Sequence, residues 1–404
     1  MSSHARIPTP CAATAVLLVL AACPSSAGEG TASTTGSADP TTTEGSTTAP
    51  SDTSSSTAPG STSVTADGTT TSTTAMGTVD STDGSTGDPP GSDPGCPECT
   101  VLVDGLEGGR GLALDATHAY YTDQNRGTVE RVALTGGAPE VLAGDQLSPY
   151  DVAVDGGHVY WTNFSAAGGV YRMAKAGGEI ELIDDYGGPP RSLVVDTTHV
   201  YWTSFASGDG GVWRRELALE AISDRLLFAV AGIADLVIDD ARVYATSHDP
   251  APNGGGIGFI QEPPMGLAVG VVVSVPLAGD PDFDATTIHA SGVAQPWGIA
   301  KVGDALFWAN GDGAGDNNAN AVLSVDVDAG PASVLASGQT APWGVAADDT
   351  TVYWTDFTEI RSMPHGGGDP VVLATMQANA RSIAVSDDAV VWITTVRVLL
   401  LPKS

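Results

Sequence analysis

Basic residues are scarce in this chain. Lys and Arg number 16 against 48 Asp and Glu, a formal charge of −32 over 404 residues. Ten of the acids lie in 24–100 without a base, so 101–404 holds 38 acids and 15 bases, a difference of −23. A surface of that sign repels phosphodiester backbones and anionic headgroups, which excludes nucleic acid as a partner. Cysteines number only four, so a zinc site built on two Cys pairs has no second pair to draw on. No His pair has metal-ligand spacing. No Gly-x-Ser-x-Gly elbow and no Ser/His/Asp grouping marks a hydrolase nucleophile. Apolar residues at helical spacing are almost missing beyond the first 23 positions, which argues against an α or α/β fold.

What is present instead is a repeat. An apolar run ends in Asp, and five positions later comes Tyr-Trp-Thr or a close variant. Strong copies pair Asp115 with Tyr120-Tyr121-Thr122, Asp155 with Tyr160-Trp161-Thr162, Asp196 with Tyr201-Trp202-Thr203 and Asp348 with Tyr353-Trp354-Thr355. Weaker copies pair Asp239 with Tyr244, Val302 with Phe307-Trp308, and Ser386 with Val391-Trp392. The steps between copies run from 38 to 46 residues, with one of 63 between 239 and 302. Such a period holds four short strands and their turns, and marks a propeller.

In the second copy the pattern predicts strands over 149–154, 158–162, 169–174 and 179–183, with Gly177-Gly178 as a hairpin turn. The seventh copy predicts three strands, over 382–385, 389–394 and 396–401. A fourth is available at 100–103, ahead of the first copy. Pairing it with the last strand closes the ring and removes exposed sheet edges. The fold class is therefore all-β, a seven-bladed β-propeller closed by an N-terminal strand and preceded by a disordered linker. A six-bladed ring with a divergent extra unit is the alternative. At Tyr353-Trp354-Thr355-Asp356 the chain resembles the YWTD propellers of LDL-receptor-type proteins, which are typically six-bladed. Pro-Trp-Gly-Ile-Ala at 296–300 and Pro-Trp-Gly-Val-Ala at 342–346 resemble NHL and streptogramin-lyase propellers. The resemblance spans about 100–404 and implies the architecture.

The N-terminal part has a different character. Residues 12–22 are apolar and too few to span a bilayer, but suit the core of a signal peptide. Leu20-Ala21-Ala22-Cys23 resembles the lipobox of bacterial lipoproteins. That resemblance implies a signal peptide over 1–22, a lipidated Cys23 and membrane attachment through the lipid. Pro24 stands where the inner-membrane retention signal has Asp, so the expected address is the cell envelope, at the outer membrane or cell surface. Residues 23–95 are Ser, Thr, Gly, Pro, Ala and Asp almost throughout, and bury too little surface to order. They are expected to form a tether, with the propeller over 96–404 acting as a monomer. Cys96 and Cys99 just precede the closing strand, and export favours a disulfide between them.

In a propeller the first strand of each blade is innermost. The residue five before the Asp column then falls at the mouth of the central channel. Those positions hold Arg110, Tyr150, Arg191, Ala234, Trp297, Trp343 and Arg381. Arginines grip carboxylates or phosphates and aromatic rings stack on sugars, so this ring is a candidate binding funnel for an anionic, glycan or protein ligand. Wedging of adjacent blades is the competing reading. Asp123, Asn163, Ser204, Asn310 and Asp356 end the second strands at the same face, where turn formation accounts for them. Insertions near 248–268 and 311–320 also fall there, and Asp312 and Asp316 are candidate calcium ligands. No other cofactor is expected. His118, His158 and His199 recur in one turn on the opposite face, as structural elements do. The expected function is an envelope-anchored, non-enzymatic binding module. The alternative, an exported metal-dependent enzyme of lyase or lactonase type, draws on the streptogramin-lyase resemblance.

Overall fold

A computed structural model describes residues 92–185, 188–204, 210–219, 222–228, 232–247, 270–279, 285–311 and 318–403. All of them belong to one compact unit, Asp83–Ser404. Cys23, the signal segment, nearly all of the tether, the 248–268 insertion, Asp312 and Asp316 lie outside the described residues.

Seven antiparallel sheets form a seven-bladed propeller. Blade two runs through Pro149–Val154, His158–Asn163, Val170–Ala174 and Glu181–Asp184. Gly177 and Gly178, with φ of 87° and 140°, make the hairpin before its short fourth strand. In blade seven, Ser382–Val385, Ala389–Ile393 and Arg397–Pro402 are completed by Cys96–Asp104 from the other end of the chain. Thr100 pairs with Leu400 and Asp104 with Arg397. That strand begins earlier than 100, and Ser92–Asp93 adds a fifth strand outside it. Cys96 and Cys99 are joined by a disulfide within the closing strand.

Each residue of the repeated unit has a separate task. Asp115, Asp155, Asp196, Asp239 and Asp348 each accept the hydroxyl of the Tyr five positions on, at 2.6–3.0 Å. Their other oxygen takes backbone N–H groups of the turn, such as Gly157 and His158 for Asp155. This locks the hairpin between first and second strands. The Trp column, Trp161, Trp202, Trp308, Trp354 and Trp392, is fully buried. Three of these rings donate Nε1 to a Gln fifteen positions earlier: Trp161 to Gln146, Trp354 to Gln339 and Trp392 to Gln377. Burial of such rings supplies much of the driving force, on the order of 25 cal/mol per Å² of apolar area.

The Thr ties blades together. Thr122 Oγ1 accepts Gly111 N in its own blade and donates to Tyr150 O in the next. Thr162 does the same between Asp151 N and Arg191 O, and Thr246 donates to Trp297 O. A buried hydroxyl thus serves backbone groups that the irregular start of each first strand leaves unpaired. The register shift there, between Pro149 and Val152 in blade two, recurs in five other blades.

Candidate functional site

The first strands line the axis, and their opening residues converge on a cavity of about 390 Å³. Arg110, Tyr150, Arg191, Ala234, Trp297, Trp343 and Arg381 all line it. The sequence-derived ring is therefore brought together around one axis.

Six of these side chains form a continuous stack. The Arg381 guanidinium lies 4.7 Å from the Trp343 ring centre. Trp343 stacks on Trp297 with centroids 4.2 Å apart and planes 15° from parallel. Arg191 lies 4.8 Å from Trp297 on one side and 5.4 Å from Tyr150 on the other. Arg110 completes the series 4.7 Å from Tyr150. Blade four contributes only the small, buried Ala234, which lets Arg191 of blade three reach Trp297 of blade five. Such cation–π contacts fix planar guanidiniums while leaving N–H edges available.

The protein bonds the three cations in different ways. Arg110 Nε donates to the neutral Gln124 Oε1 at 2.8 Å. Arg191, only 7% exposed, donates Nε to Tyr150 Oη at 3.2 Å. Among the described residues, Arg381 Nε is buried without a hydrogen-bond partner. Burial, then the neighbouring charges of Arg110 and Arg191, pull the Arg381 guanidinium below its usual range. Neither Arg110 nor Arg381 forms an ion pair with a carboxylate among the described residues.

One residue deeper, the layer is asymmetric. Blades one, five and six place Gly111, Gly298 and Gly344 there. A Cβ at any of them would come within 2.5–2.6 Å of the next blade's backbone, so the close approach of first strands requires glycine. Blades two, three and four place Asp151, Ser192 and Asp235 on the cavity instead. Each acid reaches over the following blade: Asp151 Oδ2 accepts Leu193 N at 3.0 Å, and Asp235 Oδ2 accepts Ile299 N at 3.1 Å. Ser192 Oγ sits between them, 3.1 Å from Asp151 Oδ2 and 2.6 Å from Asp235 Oδ1. A hydroxyl has one proton to donate, so both contacts are bonds only when a carboxyl holds another. Burial and the charge of Asp235 push the Asp151 carboxyl up to about 7. Burial also raises Asp235, against its hydrogen bonds and Arg191. In the sequence this column mixes glycine, serine and aspartate and carries no repeat signal of its own.

The described part of this fold resembles known propellers. A streptogramin B lyase structure superimposes with a TM-score of 0.59 at 12% identity, covering 76% of this chain and 97% of that one. Virginiamycin B lyase from Staphylococcus aureus gives the same score and identity, covering 76% and 98%. The WD40 propeller of Doa1 gives 0.56 at 12%, covering 74% and 95%. The shared feature is the propeller. No protein-family profile and no curated protein sequence matches the chain.

The remaining candidates sort by burial. Asp123, Asn163, Ser204, Asn310 and Asp356 do not rim the mouth but are buried. Asp123 and Asp356 hold the loops that enter the first strands of their blades: Asp123 Oδ2 accepts Glu107 N, and Asp356 Oδ1 accepts Thr340 N and Ala341 N. Asn163 Nδ2 donates to Gln146 Oε1 in such a loop, and Asn310 Nδ2 to Asn318 O. Turn formation is the role of these four, as expected. His118, His158 and His199 donate backbone N–H to the repeat Asp, and their rings lie tilted against the repeat Tyr. Among the described residues no group of three or more His, Cys, Asp or Glu could hold a metal.

Proposed function

We propose that this propeller is a non-enzymatic binding module whose channel mouth takes an anionic ligand with a flat or sugar-like face. The supporting observation is the convergence of three guanidiniums and three aromatic rings on one cavity in a chain of net charge −32. Oriented by ring contacts, the planar guanidiniums can turn donors toward carboxylate, sulfate or phosphate oxygens. Trp297, Trp343 and Tyr150 offer stacking area beside them. The module is carried on the envelope by lipidation of Cys23, with the segment after it as tether.

The test is an array of acidic and neutral glycans probed with the purified protein and with the double variant Arg110→Ala, Arg381→Ala. Acidic glycans are expected to be retained by the parent and lost by the variant at unchanged melting temperature. Equal retention by both proteins would count against the mouth. Radiolabelled palmitate incorporation, abolished by Cys23→Ser, tests the anchor.

A second reading, an exported enzyme, draws on the carboxyl of Asp151, which stands near neutrality on the cavity wall as a general acid–base group would. Loss of turnover of a candidate substrate in Asp151→Asn, with glycan retention intact, would favour that reading.

A further inference from the structure

The face opposite the mouth carries the Asp–Tyr hairpins, and three of them hold a lysine in the same way. Lys175 Nζ of blade two lies 2.7 Å from Asp115 Oδ2 and 5.0 Å from the Tyr120 ring centre of blade one. Lys403 of blade seven repeats this on blade six, at 2.7 Å from Asp348 Oδ2 and 5.6 Å from Tyr353. Lys301 of blade five reaches blade four by another strand, at 3.0 Å from Asp239 Oδ2 and 5.2 Å from Tyr244. Each of these three hairpins therefore forms a two-walled seat, a carboxylate oxygen and an aromatic face, and the chain fills it with an ammonium from the neighbouring blade.

Blade three has the seat without the lysine. Asp196 Oδ2 accepts Tyr201 Oη at 2.9 Å, as in the other blades. The position equivalent to Lys175 is Leu277, which its backbone bonds identify. Lys175 N donates to Gly157 O and Leu277 N to Ala241 O, while Arg131 and Arg214 donate to the carbonyls of Lys175 and Leu277 respectively. Leucine carries neither the charge nor the reach. An open cavity of about 480 Å³ lies there instead, lined by Asp196, Tyr201, Asp240, Ile238 and Leu277. Arg214 lines it too, but Arg131 bonds the Lys175 carbonyl beside the filled blade-one seat as Arg214 bonds that of Leu277, so a neighbouring guanidinium does not bar an ammonium. At the blade-two seat Leu217 and Leu219 of blade three pack against the core that holds Tyr160, as Leu277 and Ile238 pack against the core that holds Tyr201, so the Tyr201 ring is covered and the open wall of the blade-three cavity is Asp196.

We propose that the blade-three cavity binds a primary ammonium on an alkyl stem, seated on Asp196 Oδ2 beside the Tyr201 hydroxyl with the stem along Leu277 and Ile238. The chain's own lysines on the seats of blades one, four and six show the pose. A lysine side chain of a polypeptide and a free aliphatic amine share this chemistry.

The test is titration of the purified protein at low ionic strength, followed by calorimetry and by the ring resonances of Tyr201 and His199. Two ammonium probes, Nα-acetyl-lysinamide and 1,5-diaminopentane, distinguish a peptide lysine from a free amine by which binds more tightly. The neutral control is Nα,Nε-diacetyl-lysinamide. Saturable one-site binding of at least one ammonium probe is expected, weakened tenfold or more by acetylation of the amine or by Asp196→Asn. Leu277→Lys should rebuild the internal contact, abolish probe binding and raise the melting temperature. Absence of saturable binding by both ammonium probes would overturn the proposal. So would binding that survives Asp196→Asn and ignores acetylation, which requires no folded Leu277→Lys variant.

Discussion

The two ends of the first strands follow opposite rules. At the hairpin end, the same Asp and Tyr recur in five blades with the same hydrogen bond. At the mouth end, only blades five and six, and seven and one, present the same residue, and six of the seven side chains meet in one stack that crosses the blades. Repetition across blades accompanies a task each blade has alone, closing its hairpin. Variation accompanies a task the blades share, shaping one cavity. The aspartates carry this contrast into electrostatics. At the hairpins, burial opposes ionisation, but lysine, tyrosine and backbone donors outweigh it and hold Asp115, Asp155, Asp196, Asp239 and Asp348 below the usual range. At the mouth, burial prevails and raises Asp151 and Asp235.

The strongest challenge to this division is the residue that belongs to both ends. Trp161 fills the core between blades one and two and is fully buried. Trp161→Ala should cost about 3–5 kcal/mol in denaturant unfolding, the usual range for a deleted core aromatic. Thr162→Val would leave Asp151 N and Arg191 O without their shared hydroxyl. It should cost about 2–4 kcal/mol, the penalty of two stranded backbone groups, although the residue lies at the mouth end. Asp155→Ala removes three hydrogen bonds of a half-exposed hairpin and should cost about 1–2 kcal/mol. Should it cost nothing, the hairpin aspartates would lose their structural reading.

Opposite slopes with pH sharpen the comparison. A carboxyl raised in the folded state binds an extra proton between about pH 4, its unfolded value, and pH 7. Asp151 therefore contributes stability below pH 4 that is lost as pH rises through 7. The lowered hairpin aspartates contribute stability above pH 4 that is lost as pH falls below it. Unfolding followed from pH 8 downward should show rising stability toward pH 5 and a decline below 4. Asp151→Asn should flatten the rise and leave the decline. The smallest effect is expected from Arg110→Ala, which removes a half-buried side chain bonded to one glutamine. Its stability should change by no more than about 0.5 kcal/mol, while anion binding weakens.

The sequence made the propeller legible because hairpin closure must be solved seven times with one chain, and the same answer leaves a period. The missing fourth strand of the last copy pointed to 100–103 by simple subtraction. The mouth ring was legible once the period fixed strand length, since counting back five residues from each Asp finds it. The deeper layer was not, because glycines hold three of its seven places for backbone clearance and the acids occupy only two. The stack across Ala234 was hidden as well, for it joins blades three and five, which no repeat alignment places side by side. The lysine seats were obscured because Lys175 and Lys403 come from third strands and Lys301 from a first strand.

The pairing of Thr100 with Leu400 has a kinetic side. The closing strand Cys96–Asp104 has no partner until residues 397–402 have been synthesised, so the ring stays unlatched until then. Contacts so distant along the chain form late and slowly. Once latched, the two ends hold each other, and fraying at either one must break a continuous sheet.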